Sequence, residues 1–235
     1  MRVARVAAWS TTTALPAPVH SLGVVVFNGS VYVAGGSGSG NTPVATVYRA
    51  PINSDGTLGA WAPLASFPFP RSYVGFGVNG TFLYAFGGDS SSVTPNDSSS
   101  LKTTSLSDVV YAQIDIHTGN LTAAGWTAGA NKLKKAVAKH TAVVAGGNAL
   151  ITAGLYNGAA TGSSEESYAG LNADGTTTSF NGATGANTIS SAGGGNLFNH
   201  AATGYLDATC AIHILVAGGD DVNTPTKKHK GVFYY

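Results

Sequence analysis

Short apolar runs punctuated by recurring glycine signals constrain this chain more than any other feature. Val24 to Phe27 leads into Asn28-Gly29, then Val31 to Ala34, then Gly35-Gly36. Asn-Gly accepts the positive φ needed at both central positions of a two-residue type I′ hairpin turn, and the flanking runs have strand length. Gly-Gly allows backbones to approach without side chains between them. Val44 to Ala50 supplies a third strand, Asp55-Gly56 a turn, and Leu58 to Ala62 a fourth strand that carries Trp61. The stretch from Pro18 to Trp61 therefore reads as one four-stranded meander.

The same order returns downstream. Pro70 to Gly88 repeats it with Asn79-Gly80 in the place of Asn28-Gly29, followed by Asp108 to Ile114 and Trp126. A third copy opens at His140, turns near Gly146-Gly147-Asn148 and runs through Ala149 to Gly154. It continues with Glu166 to Leu171, Asp174-Gly175 and Phe180 in the tryptophan position. A fourth opens at His200, makes a longer first turn from Tyr205 to Ala211, and climbs from Ile212 to Val216 into Gly218-Gly219. It ends at Val232 to Tyr235. Gly35, Gly87, Gly154 and Gly218 are spaced by 52, 67 and 64 residues. Self-similarity at such a period marks a repeat architecture. Repeats over 18–69, 70–138, 139–198, and 199–235 together with 1–17, fill the chain as a single domain.

Apolar strand, Asn-Gly turn, apolar strand, Gly-Gly, variable loop, tyrosine-bearing strand, Asp-Gly-Thr-Leu-Gly turn and Trp: in that order the pattern resembles the kelch repeat, about 50 residues long. The resemblance covers nearly the whole chain and implies an all-β fold, a β-propeller of about four four-stranded antiparallel blades. Trp9 precedes Leu15-Pro16-Ala17-Pro18 as Trp61 precedes Phe67-Pro68-Phe69-Pro70. Val3 to Trp9 is thus the expected last strand of the fourth blade, closing the ring against Val232 to Tyr235 and removing exposed edges. The alternative is that two chains pair their arcs by strand exchange.

Only 10% of the residues are charged and the net charge is +1, which provides no electrostatic footprint for nucleic acid or acidic lipid. No apolar stretch approaches the about eighteen residues needed to span a membrane. The N-terminal apolar run is too short for a signal peptide. Cys210 is the single cysteine, so no intramolecular disulfide forms; a small residue in a turn or strand accounts for it. Low charge and Ser/Thr/Gly-rich loops point to an extracellular or particle surface, such as a virion or appendage.

Several residues are candidates for chemistry. His20, His140 and His200 stand at the start of first strands, with Ser72 in that place in the second copy. In a kelch-like ring the first strands line the channel, so three imidazoles would meet at its mouth. Three nitrogens with an open fourth position suit zinc. In the kelch-like pattern, however, the polar residue at this point makes a structural hydrogen bond, and no metal or cofactor is assigned. The loop from Asp89 to Ser107 is long and polar, with Asp89, Asn96 and Asp97, and would present a binding surface on one face. Lys132, Lys134, Lys135 and Lys139, with Lys227, Lys228 and Lys230, form the basic clusters, read as a solvated face or a site for an anionic glycan.

His213 alternates with Ile212 and Ile214 along a strand and faces solvent or a neighbouring blade. Glu165 and Glu166 point to opposite faces of a strand. Asp220-Asp221 fits turn chemistry. No nucleophile elbow, zinc-protease helix or phosphate loop appears. The resemblance extends to copper-dependent galactose oxidases and sialic-acid epimerases. The oxidase needs a Cys linked to a Tyr, two His and a second Tyr, and Cys210 has no recognisable set of this kind around it. The expected function is a non-enzymatic binding or structural module for a protein or glycan surface, with self-assembly as a further role. A carbohydrate-active or metal-dependent enzyme and an intracellular adaptor are the alternatives.

Overall fold

The computed structural model describes residues 9–92, 104–156, 166–182, 197–209, 211–221 and 232–234. Asn96, Asp97, Cys210, Glu165, Lys227, Lys228, His229, Lys230 and the segment before Trp9 lie outside them. Three four-stranded antiparallel meanders are formed, each in sequential order. The first joins β1 (Gly23–Phe27), β2 (Ser30–Ala34), β3 (Val47–Pro51) and β4 (Ala62–Pro63). The second joins β5 (Gly75–Asn79), β6 (Phe82–Phe86), β7 (Val109–Ile114) and β8 (Leu121–Ala128). In the third region, β9 (Val137–Ala138) pairs with β12 (Leu155–Tyr156), beside the meander of β10 (Thr141–Ala145), β11 (Asn148–Thr152), β13 (Ser167–Gly170) and β14 (Asn181–Gly182). In the fourth, β15 (Leu197–Phe198) pairs with β18 (Asp220–Asp221), and β16 (Ala201–Leu206), β17 (Ile212–Ala217) and β19 (Val232–Tyr234) form a three-stranded sheet. A three-residue 3-10 turn spans Ser39–Asn41.

Turn chemistry fixes the register. Asn28 and Gly29 both take positive φ (45° and 69°), and Phe27 pairs with Ser30, as a type I′ turn requires. In the second sheet the turn is displaced by one residue from the sequence expectation. Asn79 is the last strand residue, paired with Phe82, and Gly80 alone of the two central residues is left-handed. The outer turns of the first and third sheets share one device, Asn-x-Asp-Gly-Thr. Asp55 Oδ1 accepts from the Thr57 amide (2.9 Å) and hydroxyl (2.7 Å), and Asp174 Oδ1 accepts from Thr176 in the same way (3.0 and 2.6 Å).

Backbone conformation repeats more faithfully than side chains do. Ser21, Tyr73, Lys139 and Asn199 are all left-handed, with φ of 55°, 52°, 56° and 54°, each two residues before the first strand of its sheet. Gly35, Gly87, Ala153 and Gly218 share φ between 48° and 69°, and Gly36, Gly88, Gly154 and Gly219 share φ between 101° and 112°. The second residue of each pair must be glycine on two counts. Its φ is disfavoured for any side chain, and a Cβ there would lie 2.7, 2.7, 2.9 or 3.0 Å from the carbonyl oxygen of His20, Ser72, Ala138 or Phe198. That N–H is also the tie between sheets: Gly36 donates to Arg71 O, Gly88 to Val137 O and Gly154 to Leu197 O, each at 2.8 Å.

The core lies between consecutive sheets. Val25, Phe27, Tyr32 and Ala34 meet Phe76, Leu83, Ala85 and Val110. Tyr84, Phe86 and Val109 meet Ala149, Ile151, Ala169 and Phe180. Val143 and Leu150 meet Ile214 and Val216. The first strands β1, β5, β10 and β16 pack side by side in that order, whereas β1 and β16 are not packed in this way. A closed ring is therefore not seen among the described residues. Trp9, the end of the expected closing strand, is fully exposed. The chain just after it lies on the first sheet: Thr13 Oγ1 donates to Leu58 O (2.6 Å), Leu58 N to Thr12 Oγ1 (2.7 Å) and Trp61 Nε1 to Thr13 O (3.1 Å). Trp126 Nε1 donates likewise to Ala65 O (2.8 Å), so Thr12-Thr13 stand to the first sheet as the Ala65 linker stands to the second.

Ala153 is the one non-glycine in the first glycine position of the repeat. Ala153→Gly is expected to raise stability by about 1 kcal/mol by removing left-handed strain, and Gly88→Ala to lower it by at least about 3 kcal/mol. Urea midpoints measure both; a Gly88→Ala midpoint equal to wild type would refute the requirement for close backbone approach.

Candidate functional site

A meander places its chain ends and its tight turns on opposite edges. Asn28-Gly29, Asp55-Gly56 and their counterparts occupy one edge of the sheets. The Gly-Gly pairs, the linkers between sheets and the long variable loops occupy the other, which is the candidate functional edge. The stretch from Gly88 to Ser107 is built there on a buried polar base. Arg71 is fully buried, and its guanidinium bridges the two ends of the stretch. Nη1 donates to Gly87 O (3.0 Å) and Asp108 Oδ1 (3.0 Å), and Nη2 to Asp108 Oδ2 (2.7 Å). The cation also lies over the Phe67 ring, 5.3 Å from its centroid. Above it, Asp89 is fully buried. Its Oδ1 accepts from Ser91 N (2.8 Å) and Oγ (2.9 Å), and its Oδ2 from Thr104 Oγ1 (2.7 Å). Asp89 is therefore the clamp of this loop and not a solvent-facing ligand group.

The basic linker lies directly alongside. Leu133 N donates to Ser107 O and Val137 N to Leu106 O, both at 2.9 Å, so the two variable stretches singled out in the sequence are neighbours. Lys132, Lys134 and Lys135 are exposed there. Lys139 departs from the sequence grouping. It is buried, with Nζ 4.9 Å from the Tyr73 ring centroid and 5.6 Å from that of Phe198.

The histidines do not occupy one structural position. Aligning the left-handed residues puts His20 and Ser72 level with Ala138 and Phe198, and His140 and His200 two residues further on, level with Leu22 and Val74. The bridge partners agree: His20 pairs with Ser37, Ser72 with Asp89, Ala138 with Leu155 and Phe198 with Asp220. Counting from the first apolar residue of each strand hides this two-residue offset. His20 is partly exposed, with Nδ1 2.9 Å from Ser21 Oγ and Nε2 3.1 Å from Asn41 Oδ1. Ser72 is fully buried and its Oγ has no partner. Among the described residues no three His, Cys, Asp or Glu side chains gather within reach of one metal ion.

His140 and His200 form a buried pair between sheets. The His140 ring lies where a Cβ on Gly75 would stand, and neither of its nitrogens has a partner. Burial first, and then the neighbouring His200, push its pKa down to about 3. The Thr152 hydroxyl donates to Thr141 O (3.2 Å) and accepts from His200 Nε2 (2.8 Å). Burial brings His200 to about 4. His213 is half-buried, stacked on Tyr205 at 5.1 Å and paired with Asp207 at 2.9 Å. That contact and the Thr209 hydrogen bonds hold the Asp207 carboxyl well below the usual range. Asp220 sits in a bridge with Phe198 and accepts from Asn199 Nδ2 (3.2 Å). A cavity of about 260 Å³ between the third and fourth sheets is lined chiefly by Val143, Ala149, Leu150, Ile212 and Ile214.

Sequence reasoning passed over Arg71. The signal was there, since Pro70-Arg71-Ser72 stands where the first repeat has Pro18-Val19-His20, a charge in an apolar position.

No protein-family model matches the chain. No curated protein matches it either. Among solved structures its fold matches that described as the structure of YjhT, with a TM-score of 0.65 and 17% identity over 96% of this chain. The chain spans 65% of the length of that structure. At this identity the likeness is one of fold. No helix among the described residues is long and apolar enough to cross a membrane.

Two outcomes are expected. Arg71→Met, which strands the Asp108 carboxylate and the Gly87 carbonyl, lowers stability by about 3 kcal/mol; an unchanged melting curve would contradict the clamp. Both buried histidines have depressed pKa values, so the unfolded chain takes up protons first as pH falls. Their contribution is complete above about pH 6.5 and is lost progressively below it, by up to about 1.4 kcal/mol per pH unit per histidine. Urea midpoints that are equal at pH 7 and pH 5 would exclude this.

Proposed function

We propose that the four sheets are successive blades of a kelch-like β-propeller, and that the chain is a non-catalytic binding or structural module. Its loop edge engages a protein or glycan surface. One observation supports this above the rest: fully buried Arg71, paired with partly exposed Asp108, and fully buried Asp89 hold the ends of the Gly88-to-Ser107 stretch, with the lysine-bearing linker beside it. Buried charge is costly unless paired and hydrogen-bonded. Here the paired groups point at loop termini, which is where a binding scaffold needs rigidity. Lys132, Lys134 and Lys135, exposed on this edge, give it the chemistry for an anionic polymer. The low charge of the remainder suits an extracellular or particle-surface setting.

Retention on immobilised heparin and on a neutral mannan, followed through a salt gradient, tests the reading. The wild type is expected to be held by heparin and released by salt, and the combined Lys132→Ala, Lys134→Ala, Lys135→Ala variant to bind about tenfold more weakly. Turnover of a free sugar by the purified chain would replace a binding module with an enzyme.

A further inference from the structure

The internal sheet-to-sheet interface is used three times, and both of its halves are left over at the ends of the arc. On the second sheet, Phe76, Val78, Leu83 and Ala85 form the face covered by the sheet before it. On the third, Ala142, Val144, Ala149 and Ile151 do so. The same positions on the first sheet are Val24, Val26, Val31 and Val33, a face of four valines. Val24 pairs with Val33 and Val26 with Val31. Among the described residues no sheet covers this face: Val24 is 54% and Val26 59% exposed, while Val33, beside Leu15, Ala17 and Val19, is buried.

The opposite half recurs at the other end. Val25, Phe27, Tyr32 and Ala34 turn toward the following sheet, and their counterparts on the fourth sheet are Thr203, Tyr205, Leu215 and Ala217. Tyr205 is 49% exposed. Backbone groups match as well. Gly219 N–H corresponds to the three glycine donors that tie one sheet to the next, and Val19 C=O to the acceptors Arg71, Val137 and Leu197. Neither Gly219 N–H nor Val19 C=O has a partner among the described residues. A hollow of about 390 Å³ opens beside Val19, lined by Pro18, His20, Ser37, Gly38 and Ser39. It lies where the Gly-Gly corner of a preceding sheet would seat.

We infer that a second copy of this chain docks head to tail, with the fourth sheet of one copy covering the valine face of the other. The occupant follows from the geometry, because the complementary donor, apolar face and glycine corner are all present at the far end of the same chain. Such an interface is heterologous, and two copies close a ring if the rotation permits or extend into a series if it does not. Two arcs of four sheets give eight, within the usual propeller range of about 4–8.

Light scattering after size exclusion, over a concentration series of the whole chain, provides the test, with Val24→Asp and Thr203→Arg as the variants. Both side chains face solvent in the single chain, and circular dichroism verifies that each variant folds. The wild type is expected above the 23.6 kDa monomer mass. Each variant alone should associate at least about a hundredfold more weakly, because a charge is buried without a partner. Mixed together, the two should form a heterodimer, since Thr203→Arg keeps an intact valine face and Val24→Asp an intact fourth sheet. A monomeric wild type, association insensitive to either change, or loss in Val24→Asp alone would each overturn the proposal. Heparin retention of the monomeric variants separates this result from the loop-edge reading.

Discussion

The contact on which the rest of the structure depends is the hydrogen bond from the second glycine of each pair to the carbonyl opening the next sheet. It is short in all three occurrences, and it can form only where no Cβ intervenes. By pinning the corner of one sheet to the lead of the next, it sets which faces meet. The apolar alternation of β1, β5, β10 and β16 then decides what those faces contain. Side chains vary widely at equivalent places, Phe76 against Ala142 for instance, while φ at the two corner positions stays within 48–69° and 101–112°. The repeat is conserved within the chain as a backbone path, and the side chains adjust their volume around it.

This explains what was legible in the sequence. The hairpins and the glycine corners followed from Asn28-Gly29, Gly35-Gly36 and their recurrences, because turn dipeptides act locally and carry their own conformation; the outer strand expected over Leu58 to Ala62 is only Ala62–Pro63 and leaves Trp61 outside it. The histidine alignment failed for a matching reason. Apolar onset was used as the ruler, whereas the true ruler is the left-handed residue before each strand, which in this chain is Ser21, Tyr73, Lys139 or Asn199. Of those residue types only Asn favours positive φ, and Tyr73 and Lys139 are bulky. The one-residue shift of the Gly80 turn was equally invisible, since Asn-Gly satisfies the turn in either position. The fate of Lys139 depended on Tyr73 and Phe198, which lie 66 and 59 residues away in the sequence, and no local pattern contains that information.

The candidate edge divides along similar lines. Length and polarity of the Asp89 stretch and the lysines after Gly129 were readable as composition. Their adjacency was not, because it rests on Leu133 N bonding to Ser107 O and Val137 N to Leu106 O, contacts between segments far apart in the sequence. Nor was the inversion of Asp89 from displayed acid to buried clamp, a carboxylate accepting from Ser91 and Thr104 that organises its neighbours.

The clamp has a consequence for how this fold can change. Arg71 and Asp89 together fix the two points at which the chain leaves and rejoins the sheet, so the segment between Ser91 and Thr104 has its ends held at constant separation. Closing a longer segment between fixed points costs only about 0.6 kcal/mol per doubling of length. Sequence inserted there is thereby uncoupled from the strand register and from the inter-sheet core. The second sheet thus serves as a socket, able to carry segments of differing length and chemistry while the barrier between a tolerated and a disruptive insertion falls at the socket's rim.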